Sequence, residues 1–386
     1  MTMEHHLDMR EDRTQEAAKR YARIKVRLGV LDLALDLASM AVLAFSGLAT
    51  LLAGLVGAHF PGETLQFLAF VAVAGLGFAL LDLPLDLYAS YFLEHRFGLS
   101  TQTIGGWIMD RVKALMLTVA IGTPVALLFY FLLRSSGSLW WVYFGACVFG
   151  IGVILARVAP LVIFPLFYTF TPLGPGPARD AIEALLAHAR VRVTGIFVFN
   201  MSRETRKANA GFTGLGRSRR IILGDTLLES FTPEEIRVIF AHELGHYTRR
   251  HILKNTFFSG GLIFFSFGIC GALYDITLGH YGIGRAHDLA AIPILLFYLT
   301  LMSLATMPLV NALSRRFERA ADRYALETTN DPGSFIAAME KLALQNLADK
   351  EPDPVVEFFM HGHPSLKKRI DGARAYAADH TGFPVK

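Results

Sequence analysis

The chain has 386 residues, of which 53% are hydrophobic and only 18% are charged, and its mean hydropathy is +0.41. Soluble globular domains carry about 25% charged residues, so this composition excludes an ordinary soluble protein, and it excludes a disordered one even more strongly. The two cysteines, Cys147 and Cys270, both lie in apolar runs, which excludes a disulfide framework and a cysteine zinc site. The sequence therefore predicts a mainly α-helical, polytopic membrane protein.

Six apolar stretches are long enough to cross the hydrocarbon layer of a bilayer, which is about 30 Å thick, as helices. They cover about residues 28–58, 65–93, 114–133, 139–170, 256–278 and 289–313. The first stretch is too long for a cleavable signal and contains Asp32 and Asp36, so we expect it to be retained. The resulting organisation is a basic leader 1–27, a four-span region 28–170, a segment 171–255, a two-span hairpin 256–313 and a tail 314–386.

Lysine and arginine lie almost entirely on one side of these spans. The leader, the loop 94–113, the segment 171–255 and the tail hold 34 of the 37. Because positively charged loops remain in the cytoplasm, we expect both termini and both folded segments on that side. This bias, together with attraction to anionic lipid headgroups, accounts for a pI near 9.0, so we expect a lipid bilayer as partner and no nucleic acid.

One arginine, Arg157, lies inside the fourth span. A charge within the membrane needs a partner, and Asp82 and Asp86 of the second span are the candidates. The sequence assigns no function to these three residues.

The segment 171–255 and the tail 314–386 predict a small α/β cytoplasmic part. The first contains a helical pattern at 178–190 and β-branched or aromatic runs at 196–199 and 221–223. The tail contains helical patterns near 314–327, 333–347 and 365–378.

A helix begins at Thr232, which is followed by Pro233 and by Glu235 in the spacing of a capping box. Ten residues further on, this helix carries an H-E-x-x-H motif at 242–246. Its two histidines, His242 and His246, are one turn apart on one face, where both rings can reach a single zinc ion. Glu243 lies about 100° around the helix, where it can take a proton from a metal-bound water.

A catalytic zinc needs a third protein ligand, and Glu318 meets this requirement. The 72 residues between His246 and Glu318 form a membrane hairpin, which returns Glu318 to the face from which the zinc helix departs. Asp322, one turn beyond, can accept the second ring proton of a ligand histidine. Alternatively, Asp322 is a solvated acid that pairs with Arg315 or Arg319.

Several further motifs occur in a characteristic order. They are LDLPL at 81–85, YFLE and FG at 91–98, FTPL at 170–173, NAGFTGL at 209–215, RIILGDTL at 220–227, His251, FE with an aspartate four residues after the glutamate at 317–322, and HPSL with Arg369 at 363–369. Together with the H-E-x-x-H motif, they make the chain resemble the type I CAAX prenyl proteases over almost its whole length. That family consists of integral-membrane zinc endopeptidases that trim prenylated proteins at the C-terminus.

The resemblance implies that His242, His246 and Glu318 bind one Zn²⁺ per chain and that Glu243 activates the water. It also implies that His251, like Asp322, contacts the zinc ligands without binding the metal itself. It also implies that Asn209, Ala210, Gly211 and Phe212 form an edge strand to which the peptide adds by backbone pairing. The alternative for this segment is a glycine-containing turn between two strands.

The resemblance further implies that His363 and Arg369 contact the substrate and the transition state. Two other interpretations stay open: His363 could cap a tail helix, and Arg369 could belong to the basic run 367–369.

These features predict a membrane zinc metalloendopeptidase whose substrate is a peptide or protein, with or without a C-terminal prenyl group. Eukaryotic members carry an additional first span, so the six spans here indicate a bacterial-type protein of the inner (plasma) membrane. A eukaryotic source would place it in the endoplasmic reticulum. Two alternatives remain: a quality-control protease that degrades misfolded membrane proteins, and a zinc-binding transporter, which would distribute its ligands among the spans.

Overall fold

The structure of the protein, a computed structural model, describes residues 2–214 and 219–381, and the side chains of 13–214 and 219–380. Met1, residues 382–386 of the predicted tail and Leu215 of the predicted NAGFTGL motif lie outside the described residues, as do the side chains of the first twelve leader residues. In chain order the helices are α1 Thr2–Phe45, α2 Leu48–His59, α3 Glu63–Leu87, α4 Leu93–Arg96, α5 Ile104–Ser135, α6 Trp140–Val162, α7 Phe164–Phe167, α8 Pro177–His188, α9 Asp225–Ser230, α10 Pro233–Thr248, α11 His251–Tyr281, α12 Ile292–Thr329, α13 Pro332–Gln345, α14 Pro354–Met360 and α15 Leu366–Thr381.

Six of the described helical segments are long and apolar enough to span a membrane, which confirms the predicted architecture. They are Arg13–Phe45, Glu63–Arg96, Ile104–Ser135, Gly137–Phe167, His251–Tyr281 and Ile292–Thr329. The second segment includes a π-helical turn, Tyr88–Phe92, between α3 and α4.

The first predicted span differs from the structure. The apolar run 28–58 is divided at Ser46 and Gly47, where Gly47 has a φ of 86°. Residues with side chains rarely adopt this left-handed conformation, so glycine allows the helix to end here. Beyond the break, α2 has only 12 residues and is too short to cross a bilayer as a helix.

The predicted tail helix 314–327 also differs, because it is not a separate element. The sixth membrane helix continues without interruption from Ile292 to Thr329. Glu318 and Asp322 are therefore carried by the same continuous helix as the sixth membrane span, which fixes their position relative to that span.

The part of the chain outside the membrane spans contains a four-stranded sheet of β1 Phe170–Pro172, β2 Ile196–Phe199, β3 Ala210–Thr213 and β4 Arg220–Gly224. The strand order is β1-β2-β4-β3; β2 and β4 are parallel, and the other two pairs are antiparallel. One face of the sheet packs on α8 and α10 through a core that includes Ile182, Leu223 and Leu244. β3 is thus an edge strand beside α10.

Arg157 does not have the partner that the sequence suggested. Asp86 instead forms an ion pair with Arg111, with Nη2 to Oδ1 at 2.7 Å. Among the described residues, neither Arg157 nor Asp82 forms an ion pair. The sequence could not reveal the pair, because Arg111 lies near the start of α5, outside the predicted third span.

Candidate active site

The helix α10 is capped as the sequence predicts. Thr232 Oγ1 accepts a hydrogen bond from the Glu235 backbone N–H at 3.3 Å, and Glu235 Oε2 accepts one from the Thr232 N–H at 2.8 Å. This reciprocal cap satisfies two of the helix's free N–H groups and fixes its start. The register of the cap directs His242 and His246 toward α12.

Three predicted ligand side chains meet between α10 and α12. Nε2 of His242 and Nε2 of His246 are 3.2 Å apart. His242 Nε2 lies 3.3 Å from Oε2 of Glu318, and His246 Nε2 lies 3.3 Å from Oε1 of the same carboxylate. One ligand atom from each of the three residues therefore lies within 4.8 Å of the others. Tetrahedral zinc with ligands at about 2.0–2.1 Å holds its ligand atoms about 3.3 Å apart. The donor set fits such an ion in chemistry and in spacing.

Two further observations fit a cation in this site. Glu318 Oε2 is buried and accepts no well-directed hydrogen bond from the described residues, although His363 Nδ1 lies 2.8 Å away. Burial alone would lower the pKa of His242, but its hydrogen bonds to Asp322 and Glu318 dominate and raise that pKa to about 9. The site thus stabilises positive charge at the position where a metal ion would lie.

Asp322 lies behind His242, on the side of the ring away from the ligand atom. Its Oδ1 accepts a hydrogen bond from His242 Nδ1 at 2.8 Å. Arg369 donates to both oxygens of Asp322, from Nη2 at 2.6 Å and from Nε at 2.9 Å. These hydrogen bonds hold the proton of His242 on Nδ1 and leave Nε2 free as a metal ligand. The structure therefore pairs Asp322 with His242 and Arg369 rather than with Arg315 or Arg319.

His251 lies next to the second ligand histidine. Its Nδ1 is 3.1 Å from Nδ1 of His246, and its ring stacks on Phe317 with centroids 4.4 Å apart. The side chain is buried, with 4% of its surface exposed. The first residue of α11 thus supports the last turn of α10, and Phe317 couples both to α12.

Glu243 is half-buried and directly follows the ligand His242 on α10, whereas His363 comes from a different part of the chain. Among the described residues, Glu243 forms no hydrogen bond or ion pair, so its carboxylate is free to accept a proton. The His363 side chain is 68% exposed and reaches Glu318 from the loop between α14 and α15. Arg369 is instead 10% exposed and bound to Asp322. The structure therefore brings His363 to the open site and Arg369 to its buried side.

The predicted edge strand is present over Ala210–Thr213, one residue later than the predicted range, and Asn209 precedes it. The Gly224 N–H donates to the Asn209 carbonyl at 2.9 Å, so residue 209 bonds to β4. Bonding alternates along an antiparallel pair, so Gly211 also faces β4, opposite Ile222. The N–H and C=O groups of Ala210 and Phe212 therefore point to the free edge.

Two residues that support the site were not predicted as site residues from the sequence. Arg315 is buried and donates from Nη1 to the carbonyls of Glu357, at 3.0 Å, and His361, at 2.6 Å, which holds the loop that carries His363. Asn346 Oδ1 accepts the Ala208 N–H at 2.8 Å and so fixes the chain entering β3. Only the position of Arg315, one turn before Glu318 on a predicted helix, could have suggested its role.

Gly245 lies where α10 and α12 approach most closely. A Cβ at this position would be 3.0 Å from Ala321 Cα and 3.1 Å from Tyr324 Cβ. Gly245→Ala should separate the two helices, lower the free energy of unfolding by about 1–3 kcal/mol and weaken metal binding, because the histidines move away from Glu318. Thermal unfolding and elemental analysis measure both effects.

Gly261→Ala, on the open side of α11, is the matched control, because a Cβ there meets nothing within 4 Å. Unchanged metal content and stability in Gly245→Ala would mean that the close approach of the two helices does not set the ligand geometry.

Comparison with known families agrees with this geometry. A model described as "Peptidase family M48" matches residues 177–377, which include the complete ligand set. The chain belongs to peptidase family M48. A second model, "CAAX prenyl protease N-terminal, five membrane helices", matches residues 4–169.

Individual M48 relatives match over most of their length. An "Uncharacterized metalloprotease YhfN" of Bacillus subtilis is 32% identical over 92% of this chain and 84% of its own. "CAAX prenyl protease 1" of Saccharomyces cerevisiae is 28% identical over 93% of this chain and 85% of its own. The crystal structure of S. mikatae Ste24p superposes with a TM-score of 0.84 at 26% identity and covers 94% of this chain and 89% of that one.

Family membership confirms the resemblance seen in the motifs. The protein is an integral-membrane metallopeptidase, and the transporter hypothesis has no support. An M48 peptidase uses a metal ion, and His242, His246 and Glu318 form the group of described residues that could hold one.

Proposed function

We propose that the protein is a zinc endopeptidase that cuts a peptide bond near the C-terminus of a prenylated or otherwise membrane-associated substrate. The observation that carries this proposal is the set of three ligand atoms with a free carboxylate, Glu243, beside it. The set lies where a helix of the cytoplasmic part, α10, meets a membrane helix, α12. Such a site can reach a peptide whose end is held at the membrane surface.

Each residue then has a defined part in hydrolysis. Zinc, when bound, supplies Lewis-acid polarisation of the scissile carbonyl and of the attacking water. Glu243 accepts the proton of that water and delivers it to the leaving amine. His363, on the open side, donates a hydrogen bond to the oxygen on which negative charge develops.

Arg369 supports the reaction from the buried side. Because its guanidinium bonds Asp322 and lies 3.3 Å from His242 Nδ1, we assign it as a positioning residue for His242. His251 has the same role for His246. Both keep the ligand rings oriented before the substrate arrives.

The substrate adds to the free edge of β3. Ala210 and Phe212 present the unpaired backbone groups, and antiparallel addition would align an extended peptide along the ligand set. The Phe212 side chain stacks on Tyr247 of α10 with ring centroids 5.1 Å apart, which holds this edge beside the metal helix.

Ala210→Pro should remove one N–H from the free edge while leaving the bonds to β4 intact, because proline is tolerated on edge strands at outward-facing positions. We expect normal metal content and at least about a tenfold loss in kcat/KM on peptides, since a lost backbone hydrogen bond and an altered edge both weaken binding.

Gly211→Ala is the control, because its Cβ would lie 4.0 Å from Ile222 and its N–H faces β4. This variant should cut at the wild-type rate. Wild-type kcat/KM in Ala210→Pro would exclude strand addition at this edge.

The location of the protein follows from its charge distribution. The excess of Lys and Arg on one side of the spans supports termini and active site in the cytoplasm, and the relative in Bacillus subtilis supports a bacterial plasma membrane.

Matched prenylated and unprenylated peptides, incubated with the purified protein and analysed by mass spectrometry, test the proposed substrate. We expect one cut near the C-terminus and a preference for the prenylated peptide. Cleavage at many positions of unfolded membrane segments, without such a preference, would instead identify a quality-control protease.

A further inference from the structure

A cavity of about 870 Å³ lies beside the metal site, between the membrane helices α6 and α11. Its apolar wall includes Phe149 and Val153 of α6 and Ile263 of α11. At its cytoplasmic end it reaches His246 and Tyr247. Small-molecule sites typically enclose about 300–1,000 Å³, so the space suits one lipid-sized ligand.

The cytoplasmic end of this cavity is positively charged. Arg190, Arg219 and Arg250 line it, and no aspartate or glutamate does among the residues that the structure describes. Within the described part of the chain none of the three forms an ion pair; Arg219 bonds the Tyr247 hydroxyl and lies over that ring. The neighbouring Arg249, which does not line the cavity, is paired with Glu327 at 3.7 Å. The described residues therefore do not balance the positive charge at this rim.

The backbone at two of these arginines is unusual. Arg190 and Arg250 have φ values of 54° and 56°, in the left-handed region that side-chain-bearing residues seldom adopt. The turn after α8 and the turn before α11 thus both present an arginine at a position where glycine or asparagine would be less strained. Both arginines directly follow the C-cap of a helix, α8 or α10, where a left-handed residue commonly ends the helix, so the two turns have a fixed backbone.

We propose that this cavity binds one anionic phospholipid, with its phosphate on Arg190 and Arg250 and one acyl chain along α6 and α11. Charge complementarity selects the headgroup, because guanidinium groups bind phosphate through paired N–H donors. The location selects a lipid: α6 and α11 are both candidate membrane spans, and Val153 of the cavity wall and Phe257 of α11 are 37% and 69% exposed. Acyl chains therefore have direct access from the bilayer.

A lipid in this position adjoins the active site. Tyr247 lies between the arginine rim and Phe212 of the edge strand. A lipid bound in the cavity would therefore stabilise the last turn of α10 and the edge of β3. Peptide cleavage would then depend on anionic lipid. This dependence rests on the proposed function, whereas the binding does not.

Lipid binding is tested on the full chain in detergent, titrated with phosphatidylglycerol or phosphatidylcholine and observed by native mass spectrometry. We expect one retained phosphatidylglycerol per chain and much weaker retention of phosphatidylcholine. Arg190→Gln with Arg250→Gln should weaken phosphatidylglycerol binding by about 30-fold, since each basic residue near a lipid headgroup contributes about fivefold. Arg249→Gln, the control, should change it by less than about twofold, because this arginine does not line the cavity.

A second variant, Ser259→Phe, reduces the apolar part of the cavity without changing its charge, and it should lower retention of both lipids. Metal content and thermal unfolding establish that each variant is folded. Equal affinity for the two lipids, or unchanged retention in the double arginine variant, would overturn the proposal. A change confined to the KM for peptides with acidic residues before the cut would overturn it too, because the rim would then bind substrate.

Discussion

Glu243→Gln is expected to keep one metal ion per chain and to lose peptide hydrolysis by about 100-fold to 10,000-fold, the usual contribution of a general base. Glutamine preserves the size and most of the contacts of the side chain but cannot accept the proton of the attacking water. The three ligand side chains belong to other residues, so the metal should remain. Elemental analysis and kcat on a peptide measure the two effects separately.

Glu234→Gln is the matched control. It makes the same change on the same helix, at an exposed position of the first turn, away from the ligand set. Its activity should equal that of the wild type. Normal activity in Glu243→Gln would exclude Glu243 as the base, and a joint loss of metal and activity would make it a structural acid.

Glu318→Ala is expected to lose metal binding and, with it, all metal-dependent cleavage. The carboxylate supplies the third ligand atom, and its removal leaves two histidines, whereas catalytic zinc sites use three protein ligands. It also removes the acceptor that lies between His242 and His246. Elemental analysis after dialysis should show less than about one tenth of the wild-type metal, because losing a ligand weakens binding by far more than tenfold.

Glu327→Ala serves as the control on the same helix, because this glutamate is about half exposed and pairs only loosely with Arg249. It should keep its metal. Full metal retention in Glu318→Ala would move the third ligand elsewhere, with Asp322 and His251 as the next candidates.

The sequence predicted best those features that local rules determine. The capping box at Thr232 sets the register of α10, so the placement of His242 and His246 on one face follows from spacing alone. The position of Glu318 followed from topology, because a membrane hairpin must return to the side from which it started. The break at Gly47 was missed because the apolar pattern continues across it.

The features that tertiary contacts determine could not be predicted from the sequence. Whether Asp322 would face His242 or a nearby arginine depends on the packing of α10 against α12, which allows His242 Nδ1 to come within 2.8 Å. The choice of Ala210 and Phe212 as the free-edge residues depends on the register with β4. The role of Arg315 depends on the fold of the loop after α14, where His361 lies 46 residues away along the chain.

X-ray absorption at the zinc edge, on the purified protein loaded with one equivalent of zinc, tests the ligand set most directly. We expect two imidazole nitrogens at about 2.0–2.1 Å, carboxylate oxygen at about 2.0–2.2 Å and no sulfur. The nitrogen contribution should diminish in His246→Ala. A spectrum with sulfur ligands, without imidazole, or unchanged in His246→Ala would contradict the assignment of His242, His246 and Glu318 as the metal site.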